Sequence, residues 1–312
     1  MTVTECAAFL HAHDDFLLLT HARPDGDTLG SAAALCRALR RAGKRARLCP
    51  NPEITEHFLP YVAPYLGEGP VGGETVVSVD IAEEKLFPKG YEGRAELAID
   101  HHPTNTHFAG QTLLQPEKAA CGQIVLDVIE ALCGAVEPAE ADLLYMALST
   151  DCGCFLYGNT DAQAHRDAAR LIEAGADIAP LNKALFRSFS FARLRLEGLI
   201  FASLRSYRDH QLNLAVVTQA MLAESGATED DCDDLANLAG KVEGNRVAVT
   251  VREQADGACH ASVRTDGSVS ATEVCAIFGG GGHKMASGCT VKTDPETLAA
   301  GLLAAVNELW PA

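Results

Sequence analysis

Phe16-Leu-Leu-Leu-Thr20, His21-Ala-Arg-Pro-Asp25-Gly-Asp27-Thr28 and Gly30-Ser-Ala-Ala-Ala-Leu-Cys-Arg-Ala-Leu39 follow one another almost without a gap. The first run is short, apolar and without alternation, the signature of a strand buried on both faces of a parallel sheet. The last is rich in alanine and leucine and stops at Gly43, which predicts a helix. Between strand and helix lies a polar loop holding two aspartates and a histidine. In open α/β sheets, ligands sit beyond the carboxyl ends of the strands.

The same arrangement recurs downstream. Val76-Val-Ser-Val-Asp80 and Glu96-Leu-Ala-Ile-Asp100 read as strands that each end in aspartate, and Arg45-Ala-Arg-Leu-Cys49 as another before Pro50 and Pro52. Thr2-Val-Thr-Glu5 fits a capping box, and further helices are expected at about 119–133, 138–149 and 161–174. Strands alternating with helices predict a parallel sheet. From Pro180 to Leu204 the sequence reads as one long helix. Beyond it, Leu212–Val217, Arg246–Val251 and Cys259–Arg264 are β-rich, with helices near 229–239, 270–278 and 295–308. The expectation is an α/β protein of two lobes with a cleft between them: residues 1–185, a helical linker over 186–205, and a smaller α/β lobe over 206–312.

Composition narrows the function. Of 312 residues, 47% are hydrophobic and 21% charged, which supports real cores and argues against disorder. A net charge of −17 counts against a track for long nucleic acid, which rests on clustered lysine and arginine. No apolar run approaches the ~20 residues of a membrane span. The start has no basic and apolar leader pattern, and the 11 cysteines follow no secreted framework, so reduced thiols in a cytoplasmic setting are expected.

His21, Asp25, Asp27, Asp80, Asp100-His101-His102 and Asp151 would thus meet at one crevice. A single aspartate after a strand is usually a cap or turn residue, and a lone histidine usually structural. Four such segments are harder to explain one by one. Crowded carboxylates repel and raise one another's pKa unless cations compensate, so divalent metal is the economical resolution. Asp25 and Asp27, separated by one glycine in an extended loop, would project to the same side ~6–7 Å apart, which suits two ions. Mixed carboxylate and imidazole ligands favour Mn²⁺.

These residues resemble the signature of the DHH phosphoesterase superfamily. His21 to Ser31 resembles its first motif and Asp80 its second; Asp100-His101-His102 is the triplet that names it. Ser149-Thr-Asp151-Cys-Gly-Cys-Phe155 resembles the fourth, and Phe278-Gly-Gly-Gly-Gly-His283-Lys-Met-Ala-Ser-Gly288 the glycine-rich motif of the associated C-terminal domain. The chain is most similar to the nanoRNase/pAp phosphatase branch. The resemblance implies one Mn²⁺ on His21, Asp25 and Asp80, a second on Asp27, Asp80, His101 and Asp151, and His102 beside the scissile phosphate. It also implies that Arg264, Gly280, Gly281, Gly282 and His283 bind substrate. Cys152, Cys154 and Ser287 depart from the family's usual residues.

The second lobe can be read without the family as well. Arginine offers a bidentate fork to phosphate, and glycine backbone lets an anion approach its N–H groups. Four glycines in a row also suit a linker. The activity that the resemblance implies is hydrolysis of short oligoribonucleotides to mononucleotides and of 3′-phosphoadenosine 5′-phosphate (pAp) to AMP. The alternatives are a phosphodiesterase for cyclic or linear dinucleotides, a single-strand exonuclease and a non-catalytic nucleotide-binding regulator. The apolar stretch near 181–200 would suit a homodimer or a hinge.

Overall fold

The computed structural model describes residues 1–91, 93–232 and 234–310. The chain divides into two units, Met1–Ser188 and Phe189–Ala312.

The first unit runs α1 Val3–Ala12, β1 Phe16–Leu19, α2 Gly26–Arg41, β2 Ala46–Leu48, α3 Leu59–Val62, β3 Thr75–Val79, β4 Leu97–Asp100 and β5 Gln111–Leu114. It ends with α4 Cys121–Cys133, α5 Pro138–Asp151, α6 Ala162–Glu173 and α7 Ile178–Arg187. Its five strands are all parallel, in the order β2-β1-β3-β4-β5. The chain therefore turns to opposite sides after β1, and the carboxyl ends of β1 and β3 flank the switch point where α/β folds place their ligands. Phe16, Leu18, Val77, Val79, Leu97 and Ile99 share the main core with the buried residues of the helices. Leu17, Leu19 and Val76 form a smaller core, against which Phe87, Tyr91 and Phe108 pack.

Two helices carry this geometry furthest. A side chain added at Gly30 would fall 2.3 Å from the Leu143 carbonyl oxygen, so α2 and α5 cross in close contact only because Gly30 has none. That approach brings the start of α2 to the end of α5. The capping box at Thr2 and Glu5 is present. Helix α2 starts at Gly26 rather than near Gly30, because the Asp25 carboxylate accepts the N–H of Asp27 at 3.0 Å and of Thr28 at 3.2 Å. The extended loop expected for Asp25 and Asp27 is thus corrected: one residue caps the helix and the other lies in its first turn.

The second unit contains α8 Phe191–Ala202, β6 Arg205–Tyr207, β7 Leu212–Val217, α9 Gln219–Ser225, β8 Val247–Glu253 and β9 Cys259–Thr265. These are followed by α10 Ala271–Ala276, β10 Gly281–His283, β11 Ala286–Val291 and α11 Pro295–Leu309. Its sheet order is β10-β11-β9-β8-β7-β6, with β7 and β8 parallel and every other pair antiparallel. Alternate residues of the central strands feed two cores, one with Val247, Val249 and Val251, the other with Ala215, Val217 and Ala248.

The long helix expected over 180–204 is two helices, α7 and α8. Ser188 is extended and the Ser190 hydroxyl accepts the Arg193 N–H at 2.9 Å, opening a new helix. The helix expected near 229–239 is a series of 3₁₀ turns, Glu229–Cys232, Leu235–Asn237 and Ala239–Lys241. Asp233 lies outside the described residues, and Asp234 at φ +60° cannot continue a right-handed helix.

Candidate metal centre

The expected residues of the first unit arrive from four segments. His21, Asp25 and Asp27 follow β1, Asp80 follows β3, Asp100 to His102 end β4, and Asp151 closes α5. Asp80 adopts φ +61°, a left-handed conformation that turns the chain sharply at the strand end. Its Oδ2 lies 3.8 Å from His21 Nε2 and its Oδ1 3.4 Å from His101 Nε2. Asp25 is 3.6 Å from His21 Nε2. Asp27 and Asp151 are each 3.8 Å from His101 Nε2. Ligand-type atoms therefore gather into three sets, each within 4.8 Å of one another: His21–Asp25–Asp80, Asp27–His101–Asp151 and Asp80–His101–His102.

Both central imidazoles are presented the same way. His21 Nδ1 is 2.8 Å from the Ala22 carbonyl oxygen and His101 Nδ1 is 3.0 Å from that of Lys118. A carbonyl only accepts, so each Nδ1 carries the proton and each Nε2 lone pair faces the carboxylates, the arrangement of a metal-ligating histidine. The Asp27 carboxylate is held from behind by the N–H groups of Cys121 and Gly122 at the start of α4, at 2.7 and 2.9 Å, and by the Ser31 hydroxyl at 3.0 Å.

Crowding sets the electrostatics of this arrangement. Burial first, then repulsion from Asp27, Asp25, Asp151 and Asp100, pushes the Asp80 carboxyl well above the usual range. Burial and the charge of Asp27 push Asp151 up to about 7, and burial also raises Asp27. Burial works to lower the His101 pKa, but Asp27 and Asp151 outweigh it and raise it. Asp80 Oδ1 is buried without a hydrogen-bond partner, a costly state for a carboxylate oxygen. Oxygen and imidazole donors with an orphaned buried carboxylate oxygen at their middle fit divalent cations.

His102 sits slightly apart. Its Nδ1 is 2.8 Å from Asp100 Oδ1, and the other Asp100 oxygen accepts the Asn105 amide at 2.6 Å. Asp100 is fully buried and serves as the orienting partner of His102, while Asn105 also reaches the Ile81 carbonyl at 3.2 Å. Neither role is visible from spacing alone; only the position of Asn105 five residues after Asp100 hints at it. Cys152 is buried with its thiol pushed up to about 11 by burial, and neither it nor Cys154 joins the ligand sets among the described residues.

In the second unit, Arg264 on β9 pairs in register with Ala286 on β11, which pairs with His283 on β10. Residues directly opposite in a sheet point to one face, so Arg264 and His283 flank a small alanine. The glycines are not a linker. Gly281 and His283 belong to an edge strand, and a side chain at Gly280 would fall 2.2 Å from the Gly288 carbonyl oxygen. Gly282 has φ +142°, and its carbonyl accepts the Thr272 hydroxyl at 3.1 Å. Ser287 is buried and donates to the His283 carbonyl at 2.8 Å, so this departure from the family pins the turn of the hairpin.

With this geometry in place, the comparisons are specific. Residues 15–148 match the DHH family, N-terminal domain, and residues 213–310 match the DHHA1 domain. The bifunctional oligoribonuclease and PAP phosphatase NrnA of Thermus thermophilus is 36% identical over 282 residues, 88% of this chain and 83% of that protein. The protein of the same name from Bacillus subtilis is 24% identical, over 92% of this chain and 93% of its own length. An exopolyphosphatase-related protein from Bacteroides fragilis shares the fold, with a TM-score of 0.89 at 20% identity, covering 99% of this chain and 96% of that one.

Proposed function

The chain belongs to the DHH phosphoesterases, a family of hydrolases, and from that premise we propose that it hydrolyses short oligoribonucleotides to mononucleotides and pAp to AMP with two Mn²⁺ ions. The observation that carries this reading is the Asp80 carboxylate, one oxygen facing His21 and the other His101. The names of the relatives from Thermus thermophilus and Bacillus subtilis support the substrate class.

In this reading His21, Asp25 and Asp80 would hold one ion, and Asp27, Asp80, His101 and Asp151 the other. Bound divalent ions activate water and neutralise charge on a phosphate in flight. The chain's own residues do the rest. Asp100 fixes the His102 ring through Nδ1, which leaves Nε2 as the atom that delivers a proton to the leaving oxygen. Arg264 and His283, on one face of the second unit's sheet, hold a phosphate or nucleotide away from the bond that breaks. Gly281 leaves open space beside them, since a side chain there would meet no atom within 4 Å.

Turnover with Mn²⁺ on pAp, a 5′-labelled trinucleotide, pApA and cyclic di-AMP, run side by side, tests the reading. Release of phosphate from pAp and of mononucleotide from the trinucleotide is expected. Hydrolysis of cyclic di-AMP alone would replace this reading with the cyclic-dinucleotide one, and no turnover on any of the four would leave a binding module.

A further inference from the structure

One short segment, residues 118–122, holds two members of one ligand set directly and the third through Asn159. The Lys118 carbonyl holds His101 Nδ1 at 3.0 Å. The Cys121 and Gly122 N–H groups hold both oxygens of Asp27. The Ala119 carbonyl accepts the Asn159 side-chain amide at 3.1 Å, and the same amide nitrogen donates to the Asp151 carbonyl at 3.2 Å. The two hydrogens of one NH₂ group thus tie the helix end bearing Asp151 to the segment that orients His101 and Asp27.

The segment is itself fixed from the interior. Its Ala119 N–H donates to Gln123 Oε1 at 2.7 Å, and Gln123 Nε2 donates to Asp167 Oδ2 at 2.7 Å. Gln123 and Asp167 are 1% and 0% exposed, and Arg170 donates to the remaining Asp167 oxygen at 2.6 Å. The other set has its own supports: the Asn51 amide donates to the His21 carbonyl at 3.0 Å, and the Thr28 hydroxyl, which accepts the His21 N–H, donates to the Val79 carbonyl at 2.8 Å. There the His21 ring leans on the neighbouring Ala22 carbonyl and Asp25 accepts the N–H groups of its own helix start, and neither Asn159 nor the 118–122 segment is a partner of these groups among the described residues.

We propose that Asn159 is a positioning residue for the Asp27–His101–Asp151 set alone, acting through the 118–122 segment that Gln123 and Asp167 lock in place. The two cation sites then differ in their supports: Asn51 and Thr28 brace the first, whereas Asn159 and the 118–122 segment brace the second. This rests on the two-ion reading above, and the test separates the two.

The test is Mn²⁺ titration of the full chain, followed by calorimetry and by the electron paramagnetic resonance signal of free Mn²⁺. The parent protein should bind two equivalents; failure to do so refutes the two-ion reading itself. Asn159→Ala should weaken one equivalent by about 10–100-fold and leave the other unchanged, the usual size of an outer-partner effect. Asn159→Asp, which keeps the shape but turns an acceptor oxygen toward two carbonyls, should weaken the same equivalent at least as much. The Asn159 side chain is exposed, so the metal-free melting temperature should stay close to that of the parent. Two unchanged equivalents, or two weakened alike, would overturn the assignment.

Discussion

The first unit gathers its charges at a point and the second spreads them along a line. In the parallel sheet every carboxyl end faces one way, so loops from β1, β3 and β4 meet, and Asp27, Asp80 and Asp100 become buried among mutually repelling carboxylates. In the mixed sheet the ends alternate. The side chains proposed to bind substrate there, Arg264 and His283, come instead from cross-strand register about Ala286, and remain at least partly open to water. Strand direction thus sets what each sheet can hold: buried convergence suits cations, and a surface row suits an anion.

That contrast can be broken at several levels. Asp80→Asn should abolish turnover, by about 10³-fold or more in kcat, since it removes the one carboxylate facing both sets and with it several kcal/mol of ion binding. Steady-state kinetics with saturating Mn²⁺ would check this, and near-normal kcat would contradict the convergent picture. His102→Gln should cost about 10²-fold in kcat with Mn²⁺ stoichiometry retained, as expected for a lost proton donor. Arg264→Ala acts on the other unit, so KM for pAp should rise roughly 10-fold with kcat and Mn²⁺ binding nearly unchanged. A fall in kcat instead would assign Arg264 to the chemistry of the first unit.

The smallest effect is on stability. In the metal-free protein, Asp151 near 7 and the raised Asp80, His21 and His101 all bind protons more tightly folded than unfolded. Between the unfolded carboxyl value near 4 and the folded value near 7, the folded form carries more protons, so stability present at pH 5 is lost as pH rises to 8. A melting temperature lower by roughly 5 °C at pH 8 is expected, at ~2–4 °C per kcal/mol for a domain of this size. Added Mn²⁺ should restore it; a flat profile would mean the carboxyls are not strained together.

Much of the first unit could be read directly from sequence because its strands are uninterrupted apolar runs that end in aspartate, and the runs at 16–19, 76–79 and 97–99 appear as β1, β3 and β4. Asp25 and Asp27 misled because aspartate serves equally as a loop residue and as a helix cap, and the caps lengthen α2 by a turn. Strand β5 has only Leu113 fully buried and gives no periodic signal. In the second unit the glycines concealed β10, since close backbone packing leaves no side chain to read. The supporting residues were the least legible. Gln123 meets Asp167 across 44 positions and Asn159 meets Ala119 across 40, and bonds at that separation leave no local pattern.

The left-handed turn at Asp80 has a consequence for evolution in the laboratory. Its φ of +61° is tolerated by asparagine and is most comfortable for glycine, and the same position carries the most crowded negative charge of the site. Selection for thermal tolerance alone should therefore drift toward Asn or Gly there, yielding robust proteins with no activity. A screen that scores only heat resistance would discard the very residue around which the chemistry is organised.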